Sequence, residues 1–145
     1  MTLLLLVMLL NQTITADDKA DQLSEMVGKN FLDQVANKDW KRAAKLCAPT
    51  MNFDGEVITG EEKITERLKK MVKDHSARIT FNQFYFFSGS EALLKFGPLP
   101  NRLNPLDLKK SSVLLGRRRK AGVAVILQQI TDATGKWPRV VAITD

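Results

Sequence analysis

The chain has 145 residues, 44% hydrophobic and 26% charged, which suits one globular domain with one core and excludes a disordered chain. One cysteine, Cys47, excludes an intrachain disulfide and a cysteine-based zinc cluster, and one histidine, His75, excludes a multi-histidine metal site. The net charge of +6 is uneven: residues 1–94 carry 12 Lys and Arg against 13 Asp and Glu, whereas residues 95–145 carry 10 against 3.

The chain begins with an apolar run, Leu3 to Leu10, and no charge precedes Asp17. The run falls short of the roughly 20 residues that span a bilayer. It fits the apolar region of a secretory signal, with Ile14-Thr15-Ala16 as small and polar context for cleavage, although no Lys or Arg stands in front. Residues 1–16 are therefore expected to be a signal segment, residues 17–145 a single domain, and the protein secreted or periplasmic. A buried first helix or strand is the other reading of the run.

Asp17 to Lys38 reads as a helix, with Leu23, Met26, Val27, Phe31 and Val35 in one apolar stripe and acids in its first turn. Asp39 can cap a short second helix that presents Trp40, Ala43, Ala44 and Cys47 on one face, and Pro49 is expected to end it. Met51 and Phe53 then alternate with Asn52 and Asp54, a strand with one apolar face, and Val57 and Ile58 extend it after a bend. Thr59-Gly60-Glu61-Glu62 has the pattern of a capping box opening a third helix that runs to about His75 and buries Ile64, Leu68, Met71 and Val72.

After that the period changes to two. Ala77 to Phe87 is expected to be one long strand, with Ile79, Phe81, Gln83, Tyr85 and Phe87 on one side. Ser88-Gly89-Ser90 reads as a hairpin turn and Glu91 to Phe96 as the returning strand. Gly97 to Ser112 is a long connection containing prolines; it could lid a pocket through Leu99 and Leu106 or simply pack. Val113 to Gly116 is a short strand, Arg117 to Lys120 a basic turn, and the last hairpin closes around Ala133 to Lys136.

Helices first, then a strand, a helix and long antiparallel strands imply an α+β fold with helices on one face of a curved sheet. Asp39, Trp40, Leu46, Ala48, Pro49, Phe53, Gly60 and Ile64, in the stretches "DWKRAAKLCAPTMNFDG" and "ITGEEKITERLKKM", resemble the nuclear transport factor 2-like superfamily and its SnoaL-like branch. The resemblance covers about Asp17 to Asp145. It implies a cystatin-like cone, in which a curved sheet wraps the N-terminal helices around an apolar pocket, and homodimers paired through the sheet's outer face. It does not imply one function, because the superfamily holds isomerases, cyclases, dehydratases and non-catalytic domains.

In the ketosteroid isomerases of this fold, the resemblance sets the general base near the end of the first strand, where Asp54 stands. An acid against an apolar wall would have a raised pKa and could exchange protons near neutral pH. Strand parity, however, turns Asp54 away from Met51 and Phe53 unless a bulge at Gly55 intervenes. The position that should carry an oxyanion-binding phenol is Phe31, and Val123 to Ile130 contains no acid. His75 sits at a helix end, where the dipole favours a cation, rather than in a histidine–aspartate pair.

The resulting expectation is a non-catalytic domain that binds a small apolar ligand or another protein, with Phe31, Phe53, Phe81, Gln83 and Tyr85 as pocket residues. Gln83 and Tyr85 fit a dimer interface equally well. The alternative is a SnoaL-like isomerase, dehydratase or cyclase with Asp54 as general base. No cofactor or metal is expected. Arg117, Arg118, Arg119 and Lys120 form a basic tract that suits a solvated loop, an acidic protein or an anionic membrane surface. Nucleic acid is disfavoured, because no aromatic residues interleave with these cations.

Overall fold

The computed structural model describes residues 15–73 and 81–145. Leu3 to Leu10, His75 and the Ala77–Thr80 part of the long expected strand lie outside the described residues. The elements are α1 (Ala16–Ala36), α2 (Trp40–Lys45), β1 (Cys47–Phe53), β2 (Glu56–Thr59), α3 (Glu61–Lys73), β3 (Gln83–Ser88), α4 (Gly89–Phe96), β4 (Ser111–Arg118), β5 (Ala121–Asp132) and β6 (Gly135–Thr144). Short 3-10 turns at Asn101–Leu103 and Leu108–Lys110 interrupt the connection from α4 to β4. The strands form one sheet in the order β2-β1-β6-β5-β4-β3. All its pairs are antiparallel except β1 with β6, which is parallel.

The helices begin where local chemistry satisfies their free N–H groups. The Thr15 hydroxyl accepts from the Asp18 amide at 3.2 Å while the Asp18 carboxylate accepts from the Thr15 amide, closing a capping box on α1. Asp39 caps α2 by accepting from the Arg42 amide. The third helix starts one residue later than a Thr59 cap would allow. Gly60 precedes it, and the Thr59 hydroxyl instead lies 3.0 Å from that of Thr50 across the β1–β2 pair.

The helices cover one face of the sheet. Phe31, Leu32 and Val35 of α1 and Ile64 and Leu68 of α3 bury against Met51, Leu114, Val125, Leu127, Val140 and Ile143. Met26 is 65% exposed, so the apolar stripe of α1 is rotated away from it and runs through Ser24 and Gly28 to Phe31. The Ser24 hydroxyl accepts from Gln129 Nε2, which ties α1 to β5. The opposite face carries a second core in which Leu99, Leu103 and Leu106 of the long connection pack on Ala48, Ile126, Val141 and Ala142. That connection is therefore a cover for the outer face. β6 has one residue more than β5 between the pairs Ile126–Ala142 and Leu127–Val140, a bulge that sharpens the local twist and bend.

Three expectations need correction. Pro49 does not end a helix: it lies inside β1, where the β1–β6 register shifts between Cys47 and Asn52, so its missing N–H breaks no regular ladder. Val57 and Ile58 do not prolong β1; they return antiparallel to it as β2. Glu91 to Phe96 is helix α4. Ser88 accepts from the Glu91 amide at 3.2 Å, and the Glu91 carboxylate accepts from the Ser88 amide at 3.1 Å. This capping box starts a helix where a hairpin turn was expected. The strand partner of β3 is β4, from Gln83–Arg117 to Ser88–Ser112.

Gly89 opens α4 under the carbonyl oxygens of Leu108 and Ser111, which a Cβ at that position would strike. Helix propensity alone would favour Gly89→Ala by about 0.8–1 kcal/mol. The collision reverses that sign, and urea denaturation should show a loss of about 1–3 kcal/mol. An unchanged or raised midpoint would show that residues 108–111 yield without cost.

Candidate functional site

The strand ends at one edge of the sheet frame a cavity of about 440 Å³ on the helix-covered face. Leu32 and Val35 come from α1, Arg67 and Met71 from α3, Phe53 from β1, Val123 from β5 and Ile143 from β6, while Phe81 lies ahead of β3. Asp54, Arg118, Thr144 and Asp145 stand among the remaining lining residues. The volume falls within the range of small-molecule sites, and the described lining is mostly apolar with a few polar groups, as such sites usually are. A larger groove between β2 and α3 is open to solvent and edged by Glu62, Lys63, Glu66, Lys69 and Lys70, so it encloses little.

Phe81 reaches the cavity because the alternation expected along its strand breaks. It lies outside β3, yet its ring centroid is 6.2 Å from that of Phe84, and both pack on the helix-side core. Gly116 of β4 makes room for it. A Cβ there would stand 2.9 Å from Phe81 Cδ1 and 3.0 Å from Leu32 Cδ1. Gln83 and Tyr85 lie on the outer side of β3 instead. Tyr85 is 44% exposed, and its hydroxyl is 3.3 Å from Gln83 Oε1. They do not line the cavity, and neither does Phe31, which is fully buried in the core behind it.

Asp54 occupies the tight turn between β1 and β2. It adopts φ 52° and Gly55 φ 105°, the left-handed pair that suits a two-residue hairpin turn. Asn52 Oδ1 accepts from the Gly55 amide at 2.6 Å, and Asn52 Nδ2 donates to the Arg102 carbonyl. Asp54 Oδ1 accepts from the Thr144 hydroxyl at 2.5 Å and from Arg102 Nε at 2.6 Å. The Thr144 hydrogen bond holds the Asp54 carboxyl below its ordinary value; burial opposes it, and the Arg102 hydrogen bond and charge add to the lowering. That direction is opposite to the one proton abstraction near neutral pH requires.

Arg67 spans the rim, with Nε 2.8 Å from Glu56 Oε2 and the guanidinium 5.2 Å from the centroid of the Phe53 ring. The basic tract divides between strand and turn. Arg117 and Arg118 end β4, while Arg119, at φ 54°, and Lys120 make the turn into β5. Arg118 follows Leu114 and Gly116 at every second position, so the pleat delivers it to the cavity side. Cys47 is buried, and burial pushes its thiol up to about 12, which disfavours the thiolate.

No family model and no curated protein matches the sequence. Among solved structures, the crystal structure of the yeast UBP3-associated protein BRE5 is similar, with a TM-score of 0.50 and 12% sequence identity. The match covers 90% of this chain and 95% of that one. The chain has the nuclear transport factor 2-like fold. At this identity the likeness concerns the fold alone.

The structure brings Phe53, Asp54, Phe81 and Arg118 together and leaves Phe31, Gln83 and Tyr85 outside the cavity. Sequence reasoning missed Arg67, Met71, Val123, Ile143 and Thr144 as lining residues. For Arg118 a signal existed in the period of two through Leu114 and Gly116; reading Arg117 to Lys120 as one turn hid it.

Asp54→Asn removes the anion and keeps the shape. The folded-state pKa lies below the ordinary 3.8, so the carboxylate stabilises fully above that value, and the effect is lost as pH falls through the folded pKa. The wild type should exceed the variant at neutral pH by about 0.2–1 kcal/mol, as befits an exposed pair. The gap should close in acid. A gap that persists at the acid end would show that shape, not charge, sets it.

Proposed function

We propose that the chain is an exported, non-catalytic domain that binds a small apolar ligand in the cavity between α1, α3 and the sheet. The single observation that carries the reading is an apolar cavity of about 440 Å³ at whose rim Asp54 is kept anionic by Thr144 and Arg102. A container of that size with a fixed, low-pKa carboxylate at its rim is suited to holding a ligand rather than moving a proton. Export rests on the Leu3–Leu10 run, and placement in the SnoaL-like branch rests on Asp39, Trp40, Pro49, Phe53 and Gly60.

One observation favours a second reading, that of a protein-interaction domain. On the sheet side away from the cavity, Leu94 is 90% exposed, Phe96 55% and Tyr85 44%. Phe96 meets Phe87 edge to face, with centroids 5.2 Å apart. This surface suits a second copy of the chain or another protein, and it leaves the cavity free.

Native mass spectrometry of the protein purified from its host should show added mass that leaves on denaturation. Val123→Trp places an indole in the cavity and should abolish that mass while leaving the circular dichroism spectrum and the denaturation midpoint near those of the wild type. Ligand retained in full by Val123→Trp would move the binding site elsewhere. A catalytic role would require that Asp54→Asn abolish a turnover that the folded wild type shows.

A further inference from the structure

Resting on the reading that the cavity binds an apolar ligand, we infer that Arg67 sets the length of that ligand, because its side chain is the partition between the cavity and the groove beside β2. Among the described residues, Arg67 alone lines both spaces. The helix changes allegiance at this residue. Lys63, Arg67 and Met71 are four apart, so they form one row along α3. Lys63 faces the groove, Met71 faces the cavity, and Arg67 stands between them. The sheet divides in the same way: Phe53 of β1 lines the cavity, and Val57 and Ile58 of β2 line the groove.

Arg67 bridges from the helix to the sheet at that dividing point. Its guanidinium is 5.2 Å from the centroid of the Phe53 ring, and its Nε is 2.8 Å from Glu56 Oε2. Phe53 and Glu56 lie directly opposite each other in the β1–β2 register, so their side chains share a face of the hairpin. One cation therefore closes on a cross-strand pair, by its π-face contact with one member and a charged hydrogen bond to the other.

These anchors act on whatever lies in the cavity. An apolar chain gains affinity for each methylene that it removes from water, until it reaches Arg67. To go further it must take the guanidinium off Phe53 and out of reach of Glu56. Beyond that point the groove is open to solvent, so each further methylene is only partly withdrawn from water and returns less than one inside the cavity. The exchange is unfavourable at the partition, and the ligand length is fixed there. With Arg67 cut back, a chain could run on over Val57 and Ile58 and along the stems of Lys63 and Lys70. The groove offers about 980 Å³ beside the 440 Å³ of the cavity.

The test titrates the purified chain with the primary alcohols from hexanol to dodecanol by isothermal calorimetry, and repeats the series on Arg67→Ala, Glu56→Ala and Lys63→Ala. On the wild type each methylene should raise the affinity about fourfold up to a limiting length and add nothing beyond it. Arg67→Ala should bind hexanol as the wild type does, which also reports that it is folded. Past the wild-type limit it should go on gaining about twofold per methylene, since the groove leaves one side of the chain in water. Lys63→Ala changes the groove alone and should keep the wild-type limit; a limit moved as far as in Arg67→Ala would show that chains already pass Arg67, and would overturn the inference. If Arg67→Ala loses hexanol, Glu56→Ala decides, because it removes one anchor and leaves the helix untouched: a limit moved to longer chains supports the inference, and an unmoved one overturns it. The same limit in the wild type and in Arg67→Ala, or a wild-type affinity that climbs unbroken to dodecanol, would overturn the inference and leave the apolar cavity reading standing. Binding of no alcohol by the wild type would overturn both.

Discussion

A single six-stranded sheet has two faces, and this chain must cover both with its own residues. One face is met by α1 and α3, which set Phe31, Leu32, Ile64 and Leu68 against Leu114, Val125, Leu127 and Ile143. The other is met by the connection from α4 to β4, whose Leu99, Leu103 and Leu106 lie on Ile126, Val141 and Ala142. The bulge at Val141 serves both layers. It lets Val140 and Ile143 face the helices while Val141 and Ala142 face the leucines. With both broad faces occupied, the space that is left lies at the strand ends, and the cavity is there.

The two layers are joined at the rim by a small polar knot. Arg102 belongs to the outer cover, yet its Nε donates to Asp54 in the β1–β2 turn, and its carbonyl accepts from Asn52. Thr144 at the end of β6 completes the set through the same Asp54 oxygen. Each bond is partly exposed and modest in energy. Their joint effect is geometric, since three separate strand ends or loops converge on one carboxylate. The same convergence fixes the chemistry of Asp54. A carboxylate oxygen that already accepts two hydrogen bonds is stabilised as the anion, and a proton has little reason to visit it.

Much of this fold is legible from periodicity. The stripe of α3, the cap at Asp39, the apolar alternation at Met51 and Phe53 and the final hairpin need only local rules, and the tertiary packing agrees with them; the stripe of α1 holds at Phe31 and Val35 but is rotated away from Met26. The misreadings occur where two local signals compete. Ser88-Gly89-Ser90 carries a turn composition, but Ser88 with Glu91 is also a capping box, and burial of Gly89 beneath two carbonyls selects the helix. Phe81 and Phe84 are three apart, so no strict alternation can set both on the helix side; the break before Gln83 is a tertiary effect, made by Gly116. The candidate site was less legible than the fold. Phe53, Asp54 and Arg118 were in view, but their convergence depends on strands that are distant in sequence, and the partners of Asp54 lie 48 and 90 positions away.

The similarity to BRE5 spans nearly the whole of both chains, and at 12% identity what it shows is a shared backbone path. That is what the physics of the container leads one to expect. The covering of both sheet faces constrains many apolar positions only by volume and period, which different sequences satisfy. The strand ends are under no such constraint, and what stands there is free to differ. In this chain the ends supply a paired aspartate, two arginines and a basic turn around an apolar mouth. Asp54 is held by the knot that joins the two layers, so its charge is committed to the fold. Arg118 is placed by strand parity, and its position at the cavity does not depend on that knot. The acid at the rim therefore belongs to the architecture, held by contacts that join the two layers, whereas the arginine is set at the cavity by the pleat of its strand.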